Sequence, residues 1–142
     1  MESKDCVFCK IVNKEAPSNM VYEDDIVCCF LDIDPINEGH VLIVPKKHCH
    51  NVDEVEDEIL LRIMKLSKCI TKAIKNVYNC DGYTMMQNGG VFTDFGHYHM
   101  HIFPRYIDDK FGWVCKELTN TSSLEKVKEK LKSELYEYRG RI

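Results

Sequence analysis

The heptapeptide His97-Tyr98-His99-Met100-His101-Ile102-Phe103 alternates three imidazoles with three bulky side chains. In an extended strand successive side chains point to opposite faces, so the histidines share one side while Tyr98, Met100 and Ile102 share the other. A helix, at about 3.6 residues per turn, spreads the same histidines over roughly 200°. The alternation therefore predicts a strand with one face turned to a core and the other to chemistry. Neutral imidazole can serve as nucleophile, base or metal ligand, and it titrates near neutral pH. Of the 6 histidines, the other three stand at 40, 48 and 50, around a second apolar run, a distribution that favours a functional cluster over accident.

The segments around this stretch predict an α+β fold. A short helix is expected over residues 5–13, capped by Asp5, with Phe8, Ile11 and Val12 at near-helical spacing. Strands are expected at Met20–Tyr22, Ile26–Ile33 and His40–Pro45, the last apolar enough to be buried on both faces. One long amphipathic helix is expected from Asp53 to about Tyr78, with acidic residues in its first turns and lysines in its last ones. Tyr83–Gln87, a turn at Asn88-Gly89-Gly90 and the histidine strand follow, and a C-terminal amphipathic helix is expected over about 122–138. Strands before and after one long helix predict a five-stranded, largely antiparallel sheet with the helices on one face, as a single domain over 1–142 whose core is about 5–113.

At 142 residues, with 44% hydrophobic and 30% charged residues, the chain is long enough for a core of its own. A net charge of −4 excludes broad electrostatic adhesion to nucleic acid or an anionic membrane, but a single phosphorylated small molecule needs only local donors. The polar start Met1–Asp5 lacks the apolar stretch of a signal peptide, and no run approaches the ~18 apolar residues of a membrane span. A cytoplasmic protein is expected, in which the 8 cysteines are thiols or metal ligands. Cys6 and Cys9, three apart on a helix, would share a face and suit one zinc, if two further ligands exist. Asp32 is the anomalous acid in an apolar strand, either a cap for the turn at Pro35 or an acceptor for a ligand hydroxyl.

Taken together these motifs resemble the histidine triad (HIT) family, whose signature His-x-His-x-His followed by two apolar residues is matched by His97 to Phe103 without a gap. The likeness runs over residues 6–113 through Cys6-x-x-Cys9, Phe30–Ile33, Gly39–His48, Asn88-Gly89 and Pro104-Arg105-Tyr106, as in the zinc-binding Cys-x-x-Cys branch of bacterial type. It implies a HIT-like fold and a nucleotide hydrolase or transferase. His99 would attack the α-phosphorus of a nucleoside 5'-phosphoramidate, aminoacyl adenylate or dinucleoside polyphosphate, giving a covalent nucleotidyl-histidine. His101 would donate to phosphate oxygens and His40 would support the triad. Asp32 would accept the ribose hydroxyls of a purine nucleotide beside Ile33, Asn88 and Thr93 would meet the phosphate or leaving group, and Phe8 with Ile33 would line the base pocket. The resemblance further implies a structural zinc on Cys6, Cys9, His48 and His97, and a homodimer paired through the long helix and a strand. His50 matches nothing.

One segment departs from the family. Relatives carry a Gly-Gln-Ser-Val-type stretch before the triad, where this chain has Thr93-Asp94-Phe95-Gly96. An aspartate there repels substrate, selects a cationic leaving group, or points to solvent. Two other readings stand beside the first: a catalytically weak nucleotide sensor, and a metalloenzyme in which His97, His99 and His101 together hold a catalytic metal.

Overall fold

Five short runs rich in β-branched, aromatic and sulfur-bearing residues form the sheet: β1 (Met20–Glu23), β2 (Val27–Leu31), β3 (Val41–Pro45), β4 (Gly82–Met86) and β5 (Met100–Arg105). In the computed structural model, which describes residues 5–119 and 122–142, the strand order is β1-β2-β3-β5-β4 and every neighbouring pair is antiparallel. Residues 1–4, most of the polar start considered above, lie outside the described residues. β3 and β5 meet near the centre with Leu42 opposite His101 and Val41 opposite Ile102.

Both faces of this sheet are covered. On one, α2 (Asp57–Tyr78) packs Ile59, Ile63, Leu66, Ile70 and Ile74 against Val27, Cys29, Val41, Ile43 and Ile102. On the other, α1 (Val7–Val12) and its preceding residue set Cys6, Phe8, Cys9 and Ile11 on Cys28, Phe30, Leu42 and Val44. The expectation that all helices share one face is thus corrected. Residues 41–44 are apolar in succession, so each side of β3 needs a cover, and each fully buried Val, Leu or Ile there contributes about 1.5–3 kcal/mol.

Element ends differ from expectation for identifiable reasons. The histidine strand begins at Met100, and His97, Tyr98 and His99 approach it outside the ladder. Gly96, at φ +58°, turns the chain, and the Tyr98 N–H donates to the Cys49 carbonyl at 2.7 Å, a loop partner in place of a strand. The alternation nevertheless holds, since Tyr98, Met100 and Ile102 join the α2 layer. The long helix begins at Asp57 and not at Asp53; Val52–Glu54 is a separate 3-10 turn. Val55 between them is extended because its side chain is drawn into the α2 core, and the Glu54 carboxylate accepts the His50 N–H at 2.8 Å. α1 starts at Val7 with Cys6 at its cap position and no side-chain cap, so Asp5 lies one residue too early to serve.

The described residues divide into two compact units, one to Phe111 and one from Gly112. The second carries α3 (Leu124–Glu137), whose N-cap Ser123 accepts the Lys126 N–H at 3.4 Å and whose Leu124, Leu131 and Leu135 are exposed. No described helix is long and apolar enough to cross a membrane.

In the first unit, Asp109 joins Arg105 on β5 to the loop before β3, its Oδ2 accepting from Arg105 Nε at 2.5 Å and from Asn37 Nδ2 at 3.0 Å. These bonds hold the Asp109 carboxyl far below its ordinary range, Arg105 being the largest cause. The same loop ends in Gly39, at φ +92°, where an added Cβ would lie 2.4 Å from Tyr78 Cε2. Gly39→Ala is expected to lower the urea unfolding free energy by about 1–3 kcal/mol through strain and overpacking. Gly82→Ala, whose Cβ would meet nothing within 4 Å, serves as the control and should cost distinctly less.

Candidate active site and metal centre

The histidines face the α1 side of the sheet and are enclosed there, with His97 at 0%, His99 at 2% and His101 at 7% exposure. Burial disfavours the charged ring, and it lowers His101 from 6.5 to about 4, ahead of the His99 and His40 rings and against the pull of Asp32 and Asp94. His40 is likewise lowered by burial, against Asp32. Both rings are therefore neutral at pH 7, and a neutral imidazole has one N–H and one lone pair.

Hydrogen bonds assign these. His40 Nδ1 accepts the Ile36 backbone N–H at 3.1 Å, so its proton sits on Nε2. That Nε2 lies 3.0 Å from His101 Nδ1, which must accept, leaving the His101 proton on Nε2. Asp32 Oδ2 stands 3.6 Å from His40 Nε2 and 3.8 Å from His101 Nδ1. His99 Nδ1 lies 2.7 Å from the His97 carbonyl, an obligate acceptor, so His99 carries its proton there and bares the lone pair of Nε2. The Nε2 atoms of His99 and His101 are buried with no hydrogen-bond partner among the described residues, on rings whose centroids are 4.7 Å apart. A bare lone pair beside an unspent N–H is equipment for attacking an electrophile while binding its anionic oxygens.

An apolar cavity of about 130 Å³ opens nearby, lined by Phe8, Ile11, Phe30, Leu42, Ile33 and Phe95, with Asp32 at its polar edge. The expected pair Phe8 and Ile33 is present, and Phe8 sets its ring edge-on to His99 at 5.2 Å. Phe95, which the sequence reading gave no role, stacks 4.8 Å from Phe8 and 6.1 Å from His99. Its signal was an aromatic residue in a short loop just before the histidines. Asp32 follows the end of β2, and its Oδ1 accepts the Asp34 N–H at 2.9 Å, so it caps the turn and keeps Oδ2 toward the histidines. Among the described residues no hydrogen bond or ion pair ties the Asn88 or Thr93 side chain to the triad: Asn88 is half-buried, and Thr93 Oγ1 is buried without a partner. Asn51, also unforeseen, accepts the Gly90 N–H at 2.8 Å and joins the two loops.

Cys6, Cys9, His48 and His97 converge on a second point, all four donor atoms lying within 4.8 Å of one another. Cys6 Sγ is 3.3 Å from His97 Nδ1, Cys9 Sγ is 3.2 Å from His48 Nδ1, and the two Nδ1 atoms are 3.2 Å apart. Tetrahedral zinc, with bonds of about 2.3 Å to sulfur and 2.0–2.1 Å to nitrogen, requires edges of roughly 3.3–3.8 Å. His97 Nε2 donates to the Pro45 carbonyl at 3.0 Å, which leaves its Nδ1 lone pair aimed into the cluster, as a ligand requires. Burial first, then Cys6, pushes the Cys9 thiol up to about 11, and burial lowers His97 to about 4. The four residues fit a divalent cation that accepts two sulfurs and two nitrogens.

The three alternating histidines do not converge on one point. Asp32, His40 and His101 do offer three donors within 4.8 Å, but the Ile36 N–H on His40 Nδ1 keeps the proton on Nε2, the atom a metal would need. A metal on Asp32, His40 and His101 is therefore opposed by hydrogen-bond direction.

A five-stranded antiparallel sheet that buries paired imidazoles beneath a Cys-x-x-Cys helix defines an α+β domain of histidine chemistry. Its lineage follows from comparison: the HIT domain model matches residues 13–108, and the chain belongs to the HIT family. It is 37% identical over 139 residues, covering 92% of this chain and 91% of the relative, to the adenosine 5'-monophosphoramidase HNT1 of Candida albicans. A crystal structure of a HIT family protein from Bacillus anthracis matches with TM-score 0.84 and 32% identity, over 94% of this chain and 96% of that one. A zinc-bound histidine triad family protein from Mycobacterium smegmatis matches with TM-score 0.71 and 28% identity, over 99% of both chains.

The lowered His101 has a consequence for stability. With an unfolded value near 6.5 and a folded value of about 4, its contribution is complete above pH 6.5 and is lost as pH falls toward 4. The stability of wild type is expected to fall relative to His101→Gln by on the order of 2–3 kcal/mol between pH 7 and 4, in urea denaturation. Parallel pH profiles would show that His101 is not held neutral by the fold.

Proposed function

We propose that this protein is a nucleotide hydrolase or transferase acting on purine nucleoside 5'-phosphoramidates, aminoacyl adenylates or dinucleoside polyphosphates at the α-phosphate. Membership of the HIT family and the phosphoramidase activity of the Candida relative support nucleotide hydrolysis in general. The observation that carries the finer reading is the bare, buried Nε2 of His99 beside the donor Nε2 of His101.

In this reading the base enters the cavity between Phe8, Phe95 and Ile33, and Asp32 receives the ribose hydroxyls. His101 donates Nε2–H to a phosphate oxygen, His40 keeps His101 in that tautomer, and Asn88 and Thr93 meet the phosphate or leaving group. His99 Nε2 forms a bond to phosphorus as the bond to the leaving atom breaks. The leaving group departs with that electron pair and takes a proton from water. The His97 carbonyl holds the Nδ1–H of His99 while its ring carries positive charge. Water then displaces His99 and frees the nucleoside monophosphate.

Cys6, Cys9, His48 and His97 hold a structural zinc in the same reading. When bound, the ion supplies a closed cross-link between α1, the loop after β3 and the chain two residues before His99. The cytoplasm suits such a site, since thiols stay reduced there. The homodimer forms through α2 and the edge strand β4, where Leu61, Met64 and Tyr83 are exposed. A second reading, nucleotide binding with weak turnover, is favoured by the exposed Asp94 carboxylate, whose charge reaches His101.

Two experiments test these readings. Adenosine 5'-phosphoramidate should be hydrolysed by wild type and at least about 1,000-fold more slowly by His99→Ala. Equal rates refute the nucleophile, and tight binding without turnover supports the sensor. Metal analysis should find zinc in wild type and in His101→Ala but not in Cys9→Ala; the reverse pattern favours a catalytic metal on the triad.

A further inference from the structure

A phosphate oxygen needs a donor at His101, and the tautomer of that ring decides whether it finds one. His40 Nε2 and His101 Nδ1 share one 3.0 Å hydrogen bond, and two pairs of neutral tautomers satisfy it. In the first, His40 donates from Nε2 and His101 keeps its own proton on Nε2. In the second, His101 donates from Nδ1, His40 carries its proton on Nδ1, and His101 Nε2 is bare. Asp32 Oδ2, at 3.6 Å from one ring and 3.8 Å from the other, does not separate the two. Phe103, its centroid 4.7 Å from that of His40, holds the ring plane, but a hydrocarbon cannot choose between nitrogens. The choice falls to the Ile36 N–H, which donates to His40 Nδ1 at 3.1 Å and would face another N–H in the second pair.

Ile36 lies in the loop between β2 and β3, and its N–H points at His40 only while that loop keeps its shape. Two backbone bonds close the loop on itself: the His40 N–H donates to the Asn37 carbonyl at 3.1 Å, and the Asp32 N–H donates to the His40 carbonyl at 3.0 Å. The half-buried Asn37 side chain ties it to β5 and the turn beyond, its Nδ2 donating to the Pro104 carbonyl at 2.9 Å and to Asp109 Oδ2 at 3.0 Å. Asp109 is a firm anchor. Its side chain is 4% exposed and accepts the Tyr106 N–H at 3.1 Å, the Phe111 N–H at 3.0 Å and the Arg105 guanidinium. Arg105 is held in turn by Thr84 Oγ1 at 3.0 Å and by the Phe111 carbonyl at 2.6 Å.

We propose that Asn37 is a positioning residue: pinned by Asp109 and the Pro104 carbonyl, it aims the Ile36 N–H at His40 and so keeps the His101 proton on Nε2, the nitrogen that meets phosphate. This rests on the functional reading in which His101 donates to a phosphate oxygen. Asn37 acts through Ile36 and His40 and touches no substrate. The wrong pair of tautomers presents an anion with two bare nitrogens, on His99 and on His101, and a neutral hydrogen bond shifts the ratio of the two pairs by up to about tenfold. His99 supplies an internal control, because its tautomer is set by the His97 carbonyl and not by this loop.

The test reads the rings directly, by heteronuclear NMR of the full chain labelled at its histidine nitrogens, where protonated and bare ring nitrogens resonate far apart. Wild type should show His40 and His101 protonated on Nε2 and His99 on Nδ1. Two variants break the link: Asn37→Ala removes the donor, and Asn37→Asp sets a carboxylate against the Pro104 carbonyl and Asp109. Both should give mixed tautomers at His40 and His101, leave His99 unchanged, and lower kcat/KM for adenosine 5'-phosphoramidate by about tenfold. Glu38→Ala, at an exposed neighbour, should do neither. Single tautomers at His40 and His101 in both Asn37 variants overturn the inference. So does an equal tautomer change at His99, which is the mark of a generally loosened fold, and so do mixed tautomers with unchanged kcat/KM. In each of those cases loss of turnover in His99→Ala keeps the functional reading intact. Turnover that survives His99→Ala, or none in wild type, overturns that reading and the use of the His101 donor in it, while control of the tautomer by Asn37 stands or falls on the spectra alone.

Discussion

The 2.7 Å hydrogen bond between His99 Nδ1 and the His97 carbonyl determines which nitrogen of His99 is bare, and the other features of the site are arranged around that choice. His97 can hold its carbonyl in place because its own ring is fixed at both ends, by the Pro45 carbonyl at Nε2 and by the cysteine cluster at Nδ1. The same residue thus joins the cluster of cation-binding type to the candidate nucleophile. The link is mechanical and passes through the backbone, and it asks nothing of the imidazole of His97 in the chemistry itself.

Neutral imidazoles are the second requirement, and burial supplies them. A histidine face open to water would leave His40 and His101 near their ordinary value, partly protonated, and the directional chain from Ile36 through His40 to His101 would lose its meaning. α1 prevents this by covering the sheet on that side, with Cys6, Phe8, Cys9 and Ile11 turned inward. Phe8 serves both functions, since it packs against Phe30 in the core and edge-on against His99 at the site. One short helix thus covers His99 and contributes one wall of the apolar cavity, the other walls coming from β2, β3 and the loop at Phe95.

Much of this was legible in the residues. Alternation from His97 to Phe103 indicates which side chains share a face, and the faces are as expected, although the ladder begins only at Met100. The pattern could not show that start, because it depends on a bond between Tyr98 and Cys49 far away in sequence. Cys6 and Cys9 were recognisable by spacing, and His48 and His97 followed from the family resemblance rather than from any local signal. Phe95 and Asn51 were missed because neither contributes to a periodic pattern, and each matters only through contacts made across the fold. The early start assigned to α2 failed for a related reason: Val55 fits a helical period equally well, but the core draws it into an extended turn.

By itself the sequence determined the inventory: a helix with two thiols, an apolar strand buried on both sides, three histidines on one face, and a lone acid after an apolar run. These are consequences of side-chain period and polarity, which short-range geometry enforces. The tertiary structure decided how three similar imidazoles divide. His97 turns to the cysteines, His99 bares Nε2 and His101 keeps a proton there, because each ring meets a different backbone or side-chain partner brought from a distant segment. A tautomer is set by what faces the ring, and no local pattern encodes that.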